Sequence, residues 1–279
     1  MTAVETAISK TLCYADVFDY PLTLDEIDRY LINGTPWPHL KHQDLARFAS
    51  HKNGYYFLPH REKIIALREE RAVSSHRKLI LARQIAAKLA RIPFILGVFA
   101  TGTLAMANSD KADDIDLMIV TRLNHLWTAR LLVTLYLELL GIRRRPHADN
   151  SADRICANLY LDESALSLPK AKRSLYSAHE VVQTMPLINK NSIYDRFLSA
   201  NRWVLTYLPN TRIPDVNLIS YLLPHNSSAL ELLAYKLQLT YMKSKLSRET
   251  VTPHSAFFHP RDTGSLVLDK YHQKLLALS

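Results

Sequence analysis

The fold is decided by residues 94–120, which read FILGVFATGTLAMANSDKADDIDLMIV. This stretch begins with an apolar run typical of a buried strand, turns at Gly102-Thr103, and ends in a second apolar run. The second run starts at an acidic pair, Asp114 and Asp116, and side chains alternate along a strand. We therefore predict two strands, with both carboxylates on one face of the second, about 6–7 Å apart.

These residue types suit the chemistry of nucleotide phosphates. Two carboxylates on one strand face can bind a divalent cation such as Mg²⁺ or Mn²⁺. Glycine at a strand-to-helix turn lets the backbone approach phosphate oxygens, and Thr103 adds a hydroxyl donor. A cation held by Asp114 and Asp116 would bridge a triphosphate, neutralise the leaving pyrophosphate and orient an attacking hydroxyl.

The arrangement resembles the DNA polymerase beta superfamily of nucleotidyltransferases. Their pattern is a hydrophobic strand, Gly-Ser, a spacer of about ten residues, and Asp-x-Asp among hydrophobic residues. Here the pattern reads Gly102-Thr103 and Asp114-Ile115-Asp116, within a resemblance that covers residues 94–162. It implies an α/β fold: an α+β nucleotidyltransferase core with a mixed sheet.

The resemblance also implies an activity and its site residues. The reaction is transfer of a nucleoside monophosphate from a nucleoside triphosphate to a hydroxyl of an unidentified acceptor, a small molecule, protein or nucleic acid, with release of pyrophosphate. Asp114 and Asp116 would bind Mg²⁺ or Mn²⁺, while Gly102 and Thr103 would bind phosphate. The competing structural interpretation is that Asp-x-Asp is a solvated strand end. A Walker-type ATPase is excluded, because no lysine follows Gly102.

The family's third acid is missing from the position where we expect it. The next strand is predicted over residues 154–162, and alternation places Cys156, Asn158, Tyr160 and Asp162 on one face. Asn158 occupies the catalytic third position, and an amide is not a useful proton acceptor. Three alternatives stay open: two carboxylates suffice, another acid substitutes, or the domain binds nucleotide without turnover. The candidate substitutes are Asp162, Glu163 and Glu180.

Residues 1–60 are predicted to form a winged-helix-like domain. Helical spacing around residues 8–15, 25–32 and 40–49 is followed by Asn53-Gly54 and a short strand. Thr23 and Glu26 form the pattern of a capping box. Such a domain either binds DNA, here weakly and electrostatically, or serves as a protein-docking unit.

The remaining segments are predicted to be mainly helical. Residues 61–92 are predicted to form a connector of one long helix or two abutting helices, and residues 93–170 the nucleotidyltransferase core. Residues 171–279 form a helical region beside the core that helps to build the acceptor site. Its predicted helices cover residues 192–207, 227–246 and 264–278.

Composition bounds the class of protein. The chain has 279 residues, enough for about two domains, with 48% hydrophobic and 22% charged residues, as in ordinary globular proteins. The net charge of +9 permits a polyanionic partner. Arg143-Arg144-Arg145 is the notable basic run, and it either contacts the triphosphate or complements a helix C-terminus.

We expect a cytoplasmic protein without a membrane partner. Its two cysteines, Cys13 and Cys156, are too few for a disulfide framework. The most apolar segment, residues 126–140, is shorter than a membrane span and contains Arg130 and Glu138, so we interpret it as a buried helix.

Overall fold

The computed structural model describes residues 2–32, 36, 40–41, 45, 49–145, 151–216, 228–243, 249–258 and 262–278. Helices and strands alternate irregularly along the chain. The helices are α1 Ala3–Asp16, α2 Leu24–Arg29, α3 Lys63–Leu89, α4 Gly102–Ala105, α5 Leu126–Leu139, α6 Leu175–Gln183, α7 Ile193–Ala200, α8 Ala229–Lys243 and α9 Thr263–Leu278. The strands are β1 Ser50–Lys52, β2 Tyr55–Phe57, β3 Ile95–Ala100, β4 Ile115–Thr121, β5 Ile155–Asp162, β6 Met185–Asn189, β7 Thr250–Val251 and β8 Ser255–Phe257.

A mixed six-stranded sheet in the order β6-β3-β4-β5-β8-β7 forms the centre of the α/β fold. Strands β3 and β4 are antiparallel and joined through the short helix α4, whereas β4 and β5 are parallel and joined through α5. Apolar residues alternate between the two faces of β4. Ile115 and Leu117 pack with α3 and α5, and Met118 packs with α6, α7 and α9 on the other side.

The region after residue 170 is not purely helical, which corrects our expectation for residues 171–279. Strand β6 pairs with β3 and strand β8 pairs with β5, so segments from the C-terminal part of the chain complete both edges of the sheet. The predicted helix over residues 192–207 is also interrupted. Helix α7 ends at Ala200, and a 3₁₀ helix follows over Arg202–Thr206.

A bulge in β5 overturns the alternation predicted for that strand. Leu117 pairs with Ala157 but Met118 pairs with Leu159, so Asn158 is an extra residue. Beyond it the faces exchange, and Tyr160 packs in the cluster of α3 and α5. Cys156 and Asn158 therefore share a face with Asp116, whereas Tyr160 and Asp162 lie on the opposite face.

The N-terminal segment agrees with the sequence prediction where the structure describes it. Thr23 caps α2, and Glu26 bonds back to the Thr23 backbone, which completes the predicted capping box. Strands β1 and β2 form a hairpin around the predicted turn. Most of the predicted third helix, residues 40–49, lies outside the described residues. The winged-helix assignment therefore remains a prediction.

The connector is one continuous helix, α3, which is one of the two forms that its sequence allowed. Helix α5 differs from the expectation of a buried helix. One side, including Trp127 and Val133, is buried, whereas Leu135 and Leu139 are exposed, Leu139 to 86%. No helix of the described residues has the length and apolar character that crossing a membrane requires.

Candidate acidic site beside the glycine turn

Two aspartates and a cysteine meet where β4 begins. The Asp114 and Asp116 carboxylates and the Cys156 thiol each offer a ligand atom, and these atoms lie within 4.8 Å of one another. Asp116 pairs with Cys156 across the parallel strands β4 and β5. Strand alternation thus brings the predicted acidic pair together, and the neighbouring strand adds a thiol that the sequence analysis did not assign to the site.

Asp116 is the electrostatic centre of this cluster. Burial, together with repulsion from Asp114, raises the pKa of Asp116 to about 7. The Cys156 thiol opposes this effect by hydrogen bonding to the carboxylate. Burial and the neighbouring acids raise the pKa of Cys156 well above its ordinary value, so the sulfur keeps its proton.

The Gly102 turn lies directly against Asp116. Gly102 has φ +60°, and a β-carbon at this position would lie 3.3 Å from Asp116 Oδ2. The backbone NH of Thr101 donates to the Asp116 carbonyl at 3.2 Å, which joins the end of β3 to the start of β4. Both the backbone conformation and the limited space therefore favour glycine here.

Thr103 is next to this turn, but its hydroxyl already forms a hydrogen bond within the protein. Its exposed hydroxyl donates to Asp113 Oδ2 at 3.1 Å, and the Asp110 backbone NH donates to the same oxygen at 2.9 Å. The predicted phosphate-binding hydroxyl thus helps to organise the acidic loop. It would have to turn away from Asp113 to reach a phosphate.

Asn158 contacts the acidic pair directly. Its Nδ2 donates to Asp116 Oδ1 at 2.6 Å, and its own Oδ1 is buried without a hydrogen-bond partner among the described residues. The bulge in β5 aims Asn158 at Asp116. The structure therefore brings all five predicted site residues into one region, although Thr103 faces Asp113.

Two of the three candidate substitutes for the missing acid are engaged elsewhere. Asp162 is fully buried on the opposite face and accepts a 2.7 Å hydrogen bond from His254 Nδ1 when that nitrogen carries the proton. Glu163 forms an ion pair with Arg196 at 2.8 Å. Glu180 on α6 differs, because burial and the nearby Asp116 charge raise its pKa to about 7. Of these acids, Glu180 is the one electrostatically coupled to the site.

The arginine run divides between two carboxylates. Arg144 Nε lies 2.8 Å from Asp114 Oδ2, whereas Arg143 and Arg145 both bind Glu138. The Arg144 backbone NH also donates to Ile155, so a backbone bridge to β5 holds this arginine next to the acidic pair. One of the three arginines therefore places a positive charge against the acidic pair.

Sequence reasoning missed a buried lysine that shapes the acidic loop. Lys78 on α3 is 1% exposed, and its Nζ donates to the Asp113 carbonyl at 2.6 Å and to Asp153 at 2.9 Å. Arg77 also pairs with Asp153. Lys78 occupies an ordinary position in a helical pattern, so no local signal distinguishes it from a solvated lysine.

The described geometry joins a glycine turn, an acidic pair and an amide in one site. Two carboxylates and a neutral thiol form a compact donor set, with Arg144 and the Asn158 amide as its immediate neighbours. Comparisons of the chain with protein-family models, with curated proteins and with solved structures found no match.

Proposed function

We propose that this protein is a metal-dependent nucleotidyltransferase. A hydroxyl of the acceptor attacks the α-phosphorus of a nucleoside triphosphate, a new P–O bond forms, and pyrophosphate leaves with the electrons of the broken bond. The observation that carries the proposal is the position of Gly102 at φ +60° against Asp116, whose carboxylate clusters with Asp114. The glycine turn would supply the phosphate-binding part of this chemistry, and the acidic pair would supply the metal-binding part.

The donor set fits Mg²⁺ or Mn²⁺. Carboxylate oxygens are the ligands that these hard cations prefer, and Asp114 and Asp116 supply them from one strand. The protonated Cys156 acts as a hydrogen-bond donor to Asp116. Repulsion between the two acids, which contributes to the raised pKa of Asp116, is the strain that a bound cation would relieve.

The protein residues have separable tasks in this proposal. Asp114 and Asp116 would hold the cation, which supplies charge neutralisation for a triphosphate. Asn158 fixes the Asp116 carboxylate through its 2.6 Å hydrogen bond. Glu180 would accept the proton of the attacking hydroxyl, since a carboxyl group with a pKa of about 7 is suited to general base catalysis near neutral pH.

Metal-dependent nucleotide binding tests the proposal. Calorimetry should show that Mn²⁺ strengthens binding of a non-hydrolysable nucleoside triphosphate to the wild-type chain, and that Asp114→Asn with Asp116→Asn removes this effect. The matched control is Asp110→Asn, which changes an exposed acid of the same loop outside the cluster. Equal Mn²⁺ dependence in the folded double variant would disprove the site assignment.

A second candidate function follows from Asn158. An amide at the third position favours a nucleotide-sensing regulatory protein whose N-terminal segment binds DNA or docks on another protein. Radiolabelled nucleoside triphosphates, Mn²⁺ and cell extract distinguish the two functions. Transfer of label to an acceptor supports the enzyme, whereas nucleotide binding without transfer supports the sensor.

A further inference from the structure

An open groove of about 500 Å³ lies between the end of helix α3 and the middle of helix α5. The described residues that line it are Lys88, Arg91, Ile92, Pro93, Leu132 and Tyr136. Residues 92–93 lead into β3, which pairs with the end of β4 through Ile95 and Thr121. The acidic cluster lies at the start of β4. The groove is therefore at the opposite end of these strands from the site proposed above.

One wall of the groove continues as an apolar stripe along α5. Leu132 is 40% exposed, and Leu135 and Leu139 follow it with exposed fractions of 51% and 86%. Residues at positions i, i+3 and i+7 lie on one side of a helix, so these leucines form a stripe about 10 Å long. A row of exposed leucines indicates contact with another apolar surface.

The other wall of the groove carries two cations, Lys88 and Arg91. Both side chains are exposed, and neither forms an ion pair or a side-chain hydrogen bond with the described residues. Both charged groups are therefore available to an external anion.

Carbonyls at the end of α3 have donors other than these two side chains. Cations in the last turn of a helix commonly bind its final carbonyl oxygens. Here the Ala90 carbonyl accepts a 2.6 Å hydrogen bond from Lys190 Nζ, and the Lys88 carbonyl accepts one from the Arg91 backbone NH. The exposed charges of Lys88 and Arg91 are thus not explained by the helix end alone.

A second copy of this chain does not supply a matching negative charge. Glu138 is the acid of α5, and it already pairs with Arg143 and Arg145. A two-fold dimer through the groove would bring the same basic surfaces together. The net charge of +9 adds to that repulsion. The charge of the groove therefore favours a different, acidic partner.

We propose that this groove binds an amphipathic acidic helix of a partner protein. Large apolar residues on one face of that helix pack on Leu132, Leu135 and Leu139. Glutamates or aspartates beside them pair with Lys88 and Arg91 through charge-assisted hydrogen bonds. A helix fits the concave junction of α3 and α5, whereas a flat membrane surface does not fill it.

The inference does not depend on nucleotidyl transfer, because the described residues that line the groove include none of the acidic cluster. It requires binding of the helix to be unchanged in EDTA and in the Asp114→Asn, Asp116→Asn variant. The failure of one proposal therefore leaves the other standing.

Selection from a displayed peptide library, with the full chain as bait, tests the proposal. Each peptide carries leucines at positions i, i+3 and i+7 of a helical scaffold, with glutamate, lysine or alanine at the flanking positions. We expect glutamate to be enriched. The selected peptides should bind with micromolar dissociation constants in fluorescence anisotropy, and at least tenfold more weakly when lysine replaces glutamate.

Variants of the basic wall test the charge pairing. Lys88→Glu with Arg91→Glu should weaken binding of the glutamate peptides at least tenfold and should select lysine peptides instead. Lys88→Gln with Arg91→Gln puts no negative charge at the C-terminus of α3, and it should weaken binding without reversing the selection. The matched control is Lys10→Glu, at an exposed lysine of α1, which should change neither.

Variants of the apolar stripe test the packing contact. Leu135→Asn with Leu139→Asn should weaken binding of the selected peptides at least tenfold. Leu266→Asn, at an exposed leucine of α9, is the matched control and should leave the affinity unchanged. All these side chains are exposed, so the melting temperature should stay close to that of the wild type, which separates binding from folding.

Several outcomes would overturn the inference. Failure to enrich glutamate over lysine and alanine would show that the two cations do not select the partner. Selected peptides that bind the charge-reversed or stripe variants as tightly as the wild type would have their contact elsewhere. Binding of phosphatidylserine vesicles through the same leucines, without peptide binding, would assign the groove to a membrane surface. Dimerisation that the stripe variant abolishes, again without peptide binding, would assign it to a second copy.

Discussion

Asn158 Nδ2 donates a 2.6 Å hydrogen bond to Asp116 Oδ1, so the residue at the missing-acid position holds an acid of the candidate metal site. The contact arises because the β5 bulge adds one residue opposite β4. An amide in this place removes the repulsion that a third carboxylate would exert. It also leaves the site without a base at this position.

Replacing this amide by a carboxylate should make the protein more dependent on metal. In EDTA, Asn158→Asp should lower the melting temperature by about 3–6 °C, because two acids in contact repel by about 1–2 kcal/mol. With Mn²⁺, it should restore the melting temperature and raise or create transfer activity. Differential scanning fluorimetry and the label-transfer assay measure both.

The control for this substitution is Asn158→Ala, which removes the hydrogen bond without adding charge. It should be insensitive to the change from EDTA to Mn²⁺ beyond the wild-type response. If Asn158→Asp behaves like Asn158→Ala, residue 158 does not contribute to the metal site. If Glu180→Gln alone abolishes transfer, the proton acceptor is on α6.

Arg144 would compete with a cation for Asp114, because Arg144 Nε lies 2.8 Å from Asp114 Oδ2. Arg144→Gln should therefore strengthen Mn²⁺ binding, in the absence of nucleotide, by about two- to fivefold, the effect of a partly exposed ion pair. Arg143→Gln is the control, because Arg143 pairs with Glu138 instead. Calorimetric titration with Mn²⁺ measures the affinities. Equal Mn²⁺ affinities for wild type and Arg144→Gln would contradict the prediction.

Gly102→Ala should damage both the fold and the metal site. A non-glycine residue at φ +60° costs about 1–2 kcal/mol, and the new methyl group would press on Asp116 Oδ2. We expect lower stability in urea unfolding and at least tenfold weaker Mn²⁺ binding. Gly141→Ala separates the two effects, because Gly141 has φ +64° but open space around it. It should lose a similar stability and keep its Mn²⁺ affinity.

His179 should make the stability depend on pH. Its folded pKa of about 3 lies below the ordinary value of 6.5, so the unfolded chain binds more protons between these values. The contribution is fully present above pH 6.5 and is lost by about 1.4 kcal/mol per pH unit as pH falls toward 3. Urea unfolding at several pH values should give His179→Phe a shallower slope than wild type. A parallel pair of curves would show that His179 is protonated equally in both states.

DNA binding by the N-terminal segment should be weak and electrostatic. The segment predicted to enter the DNA groove is residues 38–50, which contain the third predicted helix. It supplies Lys41 and Arg47 as fixed cations, so the logarithmic salt slope should be about 2. Titrating the full chain with mixed duplexes at two salt concentrations measures it, and Lys41→Ala should lower the slope by about 1. Selection of a defined sequence with nanomolar affinity would favour the regulatory function over the enzyme.

The sequence alone determined those features that depend on neighbouring residues. The capping box of Thr23 and Glu26, the helical character of α3 and the start of β4 at the acidic pair all follow from short-range hydrogen bonds and apolar periodicity. Residues close together in the chain make these interactions, so their pattern is visible in the sequence. The Gly102 turn was readable for the same reason.

Only the tertiary structure decided what lies opposite these elements. Periodicity carries no information about strand partners or bulges. The pairing of β6 with β3, the pairing of β8 with β5 and the exchange of faces after Asn158 were therefore not predictable. Glu231 on α8 accepts hydrogen bonds from the Trp127 and Thr128 backbone at the start of α5, although it is about a hundred residues away in the chain. Such contacts depend on long-range packing, which fixes partners by shape and charge across the whole fold rather than by spacing along the sequence.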